Sequence, residues 1–136
     1  MIKVGVLGGG ASGMTAAVVA SRNGADVTIL ERLDRVGKKL LATGNGRCNY
    51  TNDIIDIGRY YSDNKDLLQE CLSNITSQST IGFFRELGIE PFYDETGKVF
   101  PYSLQASSMV EVLREEYLRH GAKEICGQRV LAVTPV

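Results

Sequence analysis

The first 31 residues combine a β-forming run, a glycine-rich turn, a helical stretch of small residues and a second β-forming run. The turn, residues 8–13, reads Gly-Gly-Gly-Ala-Ser-Gly, satisfies the spacing G-x-G-x-x-G, and is called the glycine turn below. It follows the apolar run Ile2–Leu7, and the small residues after it end at Asn23-Gly24, a typical helix stop. The second run, Asp26–Leu30, is followed by the acid Glu31. This order predicts a β–α–β unit that binds a nucleotide.

Each residue type in the glycine turn has a separate physical task. Gly8 permits the tight turn, Gly10 lets the backbone approach a pyrophosphate, and Gly13 lets the helix pack closely on the strand. The first amides of the helix, those of Ala11 and Ser12, face the phosphate, because a helix N-terminus attracts anions.

Glu31 lies 18 residues after Gly13, in the region where a carboxylate accepts hydrogen bonds from an adenosine ribose. It would repel a 2′-phosphate, which disfavours NADP at this site, although the neighbouring cation Arg32 softens that repulsion.

A second glycine-rich stretch, Thr43–Asn52, follows the β–α–β unit and is called the polar loop below. Its composition is poor for a helix or strand, while glycine and asparagine accept positive φ values. A plain NAD dehydrogenase would continue with a helix and a third parallel strand soon after Glu31. We therefore expect the polar loop, with Lys38–Leu41 just before it, to contact the far end of a dinucleotide, which favours FAD over NAD.

The remaining sequence predicts further helices and strands. They are helices over Asp66–Ile75, Thr80–Leu87 and from a cap at Ser107 or Ser108 to His120, a hairpin of Ile89–Tyr93 and Lys98–Tyr102, a third parallel strand Lys123–Cys126, and a strand Gln128–Thr134. The expected sheet order is third, second, first, which leaves Ile2–Leu7 at an open apolar edge. Such an edge predicts self-association.

Composition excludes several classes of function. A formal net charge of −1 gives no electrostatic reason to expect nucleic acid or anionic lipid as a partner, so we expect a small-molecule substrate. No window approaches the ~20 apolar residues of a membrane span, and no signal peptide precedes the glycine turn. Three cysteines without C-x-x-C spacing indicate reduced thiols in the cytoplasm. A single histidine argues against a His-based metal site, and no metal is expected.

These motifs resemble the HI0933-like flavoproteins, a family of NAD(P)/FAD-dependent, aminoacetone-oxidase-like oxidoreductases whose FAD domain is similar to that of glutathione reductase. The matching segments span most of the chain and are Gly8–Gly13, Glu31, Gly37–Leu41, Thr43–Asn52 and Gly97–Ser103. Family members usually carry Ser at position 43 and Gly at position 45, so Thr43 and Asn45 are mild departures.

The resemblance implies an α/β, Rossmann-like, FAD-binding fold of the glutathione-reductase type. Residues 1–136 would be its N-terminal part, with the parallel strands and the start of a β-meander. A substrate domain and a C-terminal flavin-contacting segment would lie outside it, and NAD(P)H is a candidate electron donor for the full-length protein.

The resemblance also assigns cofactor-binding residues. Gly8, Gly10, Ser12 and Gly13 would hold the FAD pyrophosphate, and Glu31 the adenosine ribose. A backbone hydrogen bond near Val130 would reach the adenine. The residues along the ribityl chain and flavin would be Lys38, Thr43, Gly44, Asn45, Gly46, Arg47, Cys48 and Asn49.

Several interpretations stay open at this stage. Cys48 is either a redox thiol or a small packing residue, and Arg47 either contacts flavin or substrate or forms a structural ion pair. No residue pair has the signature of a general acid and base. The chain is the flavin-holding part of an oxidoreductase, an NAD-binding module of a dehydrogenase or sensor, or a structural remnant that binds nothing. The NAD module is favoured only if the polar loop lies away from the nucleotide.

Overall fold

A computed structural model describes residues 1–135, which form twelve short elements. In chain order these are β1 (Lys3–Leu7), α1 (Ala11–Arg22), β2 (Asp26–Glu31), a 3-10 segment (Leu40–Gly46), β3 (Thr51–Asn52), a 3-10 turn (Ile57–Arg59), α2 (Lys65–Asn74), α3 (Ser77–Glu86), β4 (Pro91–Tyr93), β5 (Lys98–Pro101), α4 (Ala106–Arg119) and β6 (Lys123–Cys126).

The central feature is a three-stranded parallel sheet of order β1-β2-β6. Val4 pairs with Val27 across the first ladder, and Leu30 pairs with Ile125 across the second. This confirms the predicted α/β fold class and the predicted strand order. Within the described residues β1 has no outer neighbour, so one side of it is an open edge.

The core lies between this sheet and two helices. Helix α1 packs on β1, β2 and α4. Val18 of α1, Ile29 of β2 and Leu113 of α4 are completely inaccessible to solvent, as is Tyr117. These residues recur at helical or alternating spacing in the sequence, so burial of one face explains why the segments fold as helices and strands.

A second, antiparallel sheet has the order β3-β5-β4. The hairpin of β4 and β5 confirms the prediction for this region. Strand β3, in which Thr51 pairs with Val99, has no counterpart in the sequence analysis, because two residues are too few to show a period. The amide of Tyr50 donates to the carbonyl of Val99 over 3.0 Å, so the exit of the polar loop is fixed to this sheet.

The predicted strand Gln128–Thr134 is wrong, because the described part of this segment has no regular secondary structure. A strand requires a hydrogen-bonding partner, and none of the described strands pairs with it. Its apolar residues face solvent instead, with Leu131 86% and Val133 75% exposed. Its start is anchored, because the Gln128 amide donates to the Glu31 carbonyl over 3.0 Å.

Two helices begin at residues other than those predicted. Helix α3 begins at Ser77, three residues early, since the Thr76 side chain accepts a hydrogen bond from the Ser79 amide. Helix α4 begins at Ala106 without a side-chain cap, so the predicted cap at Ser107 or Ser108 is wrong. The Ser108 hydroxyl lies 2.9 Å from that of Ser103 instead.

Helix α2 forms as predicted but buries none of its residues. Cys71, on the apolar side of this helix, is exposed, because no described element covers that side. Cys126 is half-buried at the outer strand of the sheet. Within residues 1–135, none of the helices has both the length and the hydropathy to cross a membrane.

Candidate functional site

Three residues of the glycine turn must be glycine for reasons internal to the fold. Gly8 has a φ of 101°, which favours glycine over other residues. A Cβ on Gly13 would lie 2.0 Å from the carbonyl oxygen of Gly8, and one on Gly9 would lie 2.4 Å from Cγ1 of Val36. Close packing of the strand, the helix and the following segment therefore requires these glycines.

Gly10 differs from its neighbours because nothing in the described chain requires it to be glycine. Its φ of −83° is open to any residue, and no atom lies within 4 Å of the position its Cβ would take. The space beside Gly10 is therefore open on the side where a ligand would approach the backbone.

Gly10 is also the N-cap residue of α1, and no side chain caps the first amides of this helix. Gly10 provides no side-chain cap, and the first turn contains no acidic residue. The first intrahelical bond runs from the Met14 amide to the Gly10 carbonyl, so the preceding amides of Ala11, Ser12 and Gly13 have no intrahelical acceptor. Such an end attracts an anion.

Glu31 is buried behind the glycine turn and is bonded to it. One carboxylate oxygen accepts a hydrogen bond from the Leu33 amide over 2.8 Å, and the other accepts one from the Gly9 amide over 2.7 Å. The amides of Leu33 and Gly9 lower the pKa of Glu31, outweighing the opposite effect of burial. Each carboxylate oxygen has a further lone pair, so Glu31 can hold the turn and still accept a bond from a ribose hydroxyl.

The segment that enters the polar loop is attached to the glycine turn. The Gly37 amide donates to the Gly9 carbonyl over 2.7 Å, and Val36 packs against Gly9. The Leu41 amide then donates to the Gly37 carbonyl over 3.1 Å, which closes a helical turn before the 3-10 segment. The two glycine-rich stretches are therefore fixed relative to each other.

The polar loop adopts several left-handed backbone conformations and is held by its own hydrogen bonds. Gly44, Asn45, Gly46 and Cys48 have positive φ values of 56°, 55°, 81° and 59°. The Cys48 amide donates to the Thr43 carbonyl over 3.0 Å. A Cβ on Gly44 would lie 2.8 Å from the Asn49 amide nitrogen, so the path of the loop requires glycine there.

A cleft of about 950 Å³ joins the two stretches. Among the predicted site residues it is lined by Gly10, Ala11, Ser12, Thr43, Cys48 and Asn49. The structure therefore brings the start of α1 and the polar loop to one cavity. Its walls also include residues absent from the sequence-based set, notably Lys39, Tyr50 and Phe84. No motif separated these residues from their neighbours, because their direction depends on the folded backbone.

The other predicted site residues do not line this cleft. Lys38 forms an ion pair with Asp34, with 2.8 Å between Nζ and Oδ1. The Arg47 guanidinium lies 4.7 Å from the centre of the Phe100 ring, a cation–π contact, and forms no ion pair within residues 1–135. Gly8, Gly13 and Glu31 lie in or behind the glycine turn, and Arg32, Gly44, Asn45, Gly46 and Val130 lie outside the lining.

Two titratable side chains of the lining are held in their neutral forms by burial. Cys48 is 4% exposed, and burial raises the pKa of its thiol. A buried neutral thiol supports the interpretation of Cys48 as a packing residue over that of a reactive thiolate. Burial also raises the pKa of Tyr50 to about 12, and its hydroxyl has no hydrogen-bond partner among the described residues.

A parallel β–α–β unit with a glycine turn at the start of its helix and an acid at the end of its second strand defines a Rossmann-type domain. The family model described as HI0933-like protein Rossmann domain matches residues 2–135. The chain therefore belongs to this family, as the sequence motifs predicted.

Two curated relatives give the chain its context. Over 135 residues it is 40% identical to a 3-dehydro-bile acid delta(4,6)-reductase of Clostridium scindens, a match that covers 98% of this chain and 33% of the relative. Over 128 residues it is 30% identical to the ribosomal RNA dihydrouridine synthase of Haemophilus influenzae, covering 94% of this chain and 32% of the relative. The chain spans about a third of the length of these relatives.

Solved structures share the fold at low sequence identity. The structure of THI4 from Thermovibrio ammonificans aligns with a TM-score of 0.59 at 17% identity, covering 92% of this chain and 38% of that one. The Diels-Alderase PyrE3 of pyrroindomycin biosynthesis aligns with a TM-score of 0.54 at 14% identity, covering 100% of this chain and 27% of that one.

Proposed function

We propose that this chain supplies the part of a FAD-dependent oxidoreductase that holds the ADP moiety and the ribityl side of FAD. The observation that carries the proposal is Gly10. It lies at the start of α1 with open space where a side chain would be, and its own backbone does not need glycine. A ligand that approaches this backbone closely explains the residue, whereas the fold alone does not.

The described side chains and amides fit a dinucleotide. The amides of Ala11 and Ser12 bind the pyrophosphate, and Glu31 accepts a hydrogen bond from the ribose while holding the Gly9 amide. Thr43, Cys48 and Asn49, which line the cleft, lie along the ribityl chain and flavin, and Gly44–Arg47 form the part of the loop that positions them. When bound, FAD supplies the two-electron redox chemistry, and the chain supplies position and electrostatics.

The position of the polar loop favours FAD over NAD. An NAD-binding module would leave this loop free of the nucleotide, yet Thr43, Cys48 and Asn49 line the same cleft as the start of α1. A ligand extending from Ser12 along the cleft therefore meets the loop. This contact is what a flavin-holding domain needs and what an NAD module does not use.

For the complete protein we propose the reduction of a carbon–carbon double bond in a small molecule, with NAD(P)H as electron donor. The relatives named as a bile acid delta(4,6)-reductase and a dihydrouridine synthase share this reaction type, since each name describes hydrogen added to an unsaturated ring. The net charge of −1 gives residues 1–136 no electrostatic reason to bind RNA, because RNA binding relies on basic residues.

The proposal includes a cytoplasmic location and one property of residues 1–136 alone. Cys48, Cys71 and Cys126 are free thiols, as expected in a reducing compartment. The open edge of β1, flanked by Ile2 at 76% and Leu7 at 55% exposure, promotes self-association of this piece. Light scattering on the purified piece tests this, and a strictly monomeric sample contradicts it.

The test of the cofactor uses Gly10→Ala in the complete gene product. The wild-type protein should show flavin absorbance bands near ~375 and ~450 nm. Gly10→Ala should lower FAD affinity at least about tenfold while leaving the urea midpoint unchanged, since its Cβ meets ligand and not protein.

Gly82→Ala is the matched control. Gly82 also has no atom within 4 Å of its Cβ position, but it lies within α3 and not in the cleft lining. This variant should keep full FAD affinity. A colourless wild-type protein that binds NAD contradicts the proposal in favour of the NAD module, and one that binds neither favours the structural remnant.

A further inference from the structure

The cleft that holds the start of α1 contains one charged side chain among the described residues that line it, that of Lys39. The rest of the lining is apolar or neutral, including Val19, Leu40 and Phe84. Lys39 is exposed to solvent and forms no ion pair within residues 1–135. Lys39 is therefore the one cation among the described residues that line the cleft, and it is free to pair with an anion bound there.

The backbone places Lys39 close to the glycine turn. Gly37, two residues earlier, donates its amide to the Gly9 carbonyl over 2.7 Å. Residues 37–41 form a helical turn, in which consecutive side chains point about 100° apart. Lys38 pairs with Asp34 outside the cleft, and Lys39 is part of the cleft lining.

Apart from Lys39, the described residues at this end of the cleft offer a bound pyrophosphate only partial positive charge. The bare amides at the start of α1 carry partial positive charge, and α1 has no acidic residue in its first turn. No carboxylate is among the described residues that line the cleft, and Glu31, which lies behind the glycine turn, accepts hydrogen bonds from the amides of Leu33 and Gly9. A pyrophosphate bound at Ala11 and Ser12 therefore has helix amides as partners and needs a full countercharge.

We propose that the Lys39 ammonium, and not that of Lys38, binds the pyrophosphate of the dinucleotide. The inference rests on the proposed function and adds to it a specific electrostatic contact. It also reassigns a role, because the sequence motifs placed Lys38 along the cofactor. Lys38 instead pairs with Asp34 on the exposed side of this segment.

The experiment compares four variants of the complete gene product: Lys39→Met, Lys39→Arg, Lys38→Met and Lys65→Met. Lys65 is an exposed lysine at the start of α2, outside the cleft, and controls for the loss of one positive charge. Each apoprotein is titrated with FAD, ADP and riboflavin at low and high salt, and thermal unfolding is recorded without ligand.

Lys39→Met should weaken both FAD and ADP by about 10- to 100-fold, the range expected for one lost charge-assisted hydrogen bond. Its affinity for riboflavin, which lacks phosphate, should stay within about threefold of wild type. The salt dependence of FAD binding should also shrink, because screening acts on the lost charge pair. Lys39→Arg should restore most of the affinity, and Lys38→Met and Lys65→Met should bind FAD as the wild type does.

Three results overturn the inference while leaving the proposed function intact. They are wild-type FAD affinity in Lys39→Met, a larger loss in Lys38→Met, or an equal loss for riboflavin, which would place the ammonium at the flavin ring. A wild-type protein that binds no FAD overturns the proposed function itself. Unfolding temperatures that match across the variants ensure that the affinities report on contact and not on folding.

Discussion

The glycine turn and the polar loop are both rich in glycine and both reach the same cleft, but their glycines have different causes. In the turn, Gly9 and Gly13 are fixed by contacts with the surrounding protein, and Gly10 is not. In the loop, Gly44 and Gly46 are favoured by positive φ values, so their presence is explained without a ligand. A glycine indicates a ligand only where the fold itself does not need it.

The largest effect should follow from Gly13→Ala in the glycine turn. The new Cβ would lie 2.0 Å from the Gly8 carbonyl oxygen, and neither backbone can move without separating α1 from β1. We expect a loss of more than about 3 kcal/mol in the free energy of unfolding. Urea unfolding measures it, with Gly5→Ala as control, because no atom lies within 4 Å of the Gly5 Cβ position. Equal stability of the two variants would contradict the close contact.

A smaller loss should follow from Gly44→Ala in the polar loop. The Cβ would approach the Asn49 amide nitrogen to 2.8 Å at a φ of 56°, so steric and left-handed costs add to about 2–3 kcal/mol. Gly46→Ala should cost only about 1 kcal/mol, because its nearest neighbour is 3.9 Å away and only the left-handed cost remains. Chemical denaturation of Gly44→Ala and Gly46→Ala separates the cost of the steric contact from that of the left-handed conformation. A larger loss of stability in Gly46→Ala than in Gly44→Ala would contradict this explanation.

Glu31→Gln should cost about 1–2 kcal/mol at neutral pH, because a neutral amide replaces a carboxylate that accepts two backbone hydrogen bonds. The pKa of Glu31 is lowered in the folded chain, so its contribution is present above the ordinary value of 4.5 and lost as the pH falls through the folded pKa. The stability difference between wild type and variant should therefore disappear in acid. Unfolding measured from pH 7 to pH ~3 checks this.

The pH dependence of wild-type stability must be compared with that of Glu31→Gln, because the pKa of Glu116 is also lowered in the folded chain. Its hydrogen bond from Arg22 lowers its pKa, so it also loses a stabilising contribution in acid. This loss is common to wild type and Glu31→Gln and cancels in the difference. A difference that persists unchanged in acid would mean that the charge of Glu31 does not hold the turn.

The smallest effect should follow from Asn45→Gly in the polar loop. Asn45 has a φ of 55°, which asparagine tolerates at modest cost, so glycine relieves little. The greater freedom of glycine in the unfolded chain offsets that gain, and the net change should lie within about 0.5 kcal/mol. A larger loss in thermal unfolding would show that the Asn45 side chain itself supports the loop.

The sequence predicted the unit of β1, α1 and β2 because the necessary information is local. Alternating apolar residues, a glycine turn and a helix stop lie within residues 2–31, and each acts on its immediate neighbours. Strand β3 and the absence of a strand over Gln128–Thr134 depend instead on which segments meet in space. The residues of a segment do not by themselves show whether another strand will pair with it.

In the candidate site, too, features set by local sequence were predicted and features set by contacts between distant segments were not. The spacing of the glycine turn predicted which backbone amides lie at the start of α1, because helix geometry fixes them. The direction of Lys38 and Lys39 was not predictable, since it depends on the bond between Gly37 and Gly9. The hydrogen bonds that Glu31 forms with two amides were also missed, because the sequence shows only its distance from the turn.

Because β2 pairs with β6, the parallel sheet cannot be completed until late in the synthesis of residues 1–136. Strand β2 ends at Glu31 and β6 ends at Cys126, roughly 95 residues later. A ribosome that adds about 5–20 residues per second needs about 5–20 s to deliver the missing partner. During that interval the nascent β2 strand, with Val27 and Ile29 at its centre, has only β1 and α1 for cover. The long connection between β2 and β6 therefore leaves one edge of β2 unpaired during synthesis, and the nascent chain is exposed to aggregation in that interval.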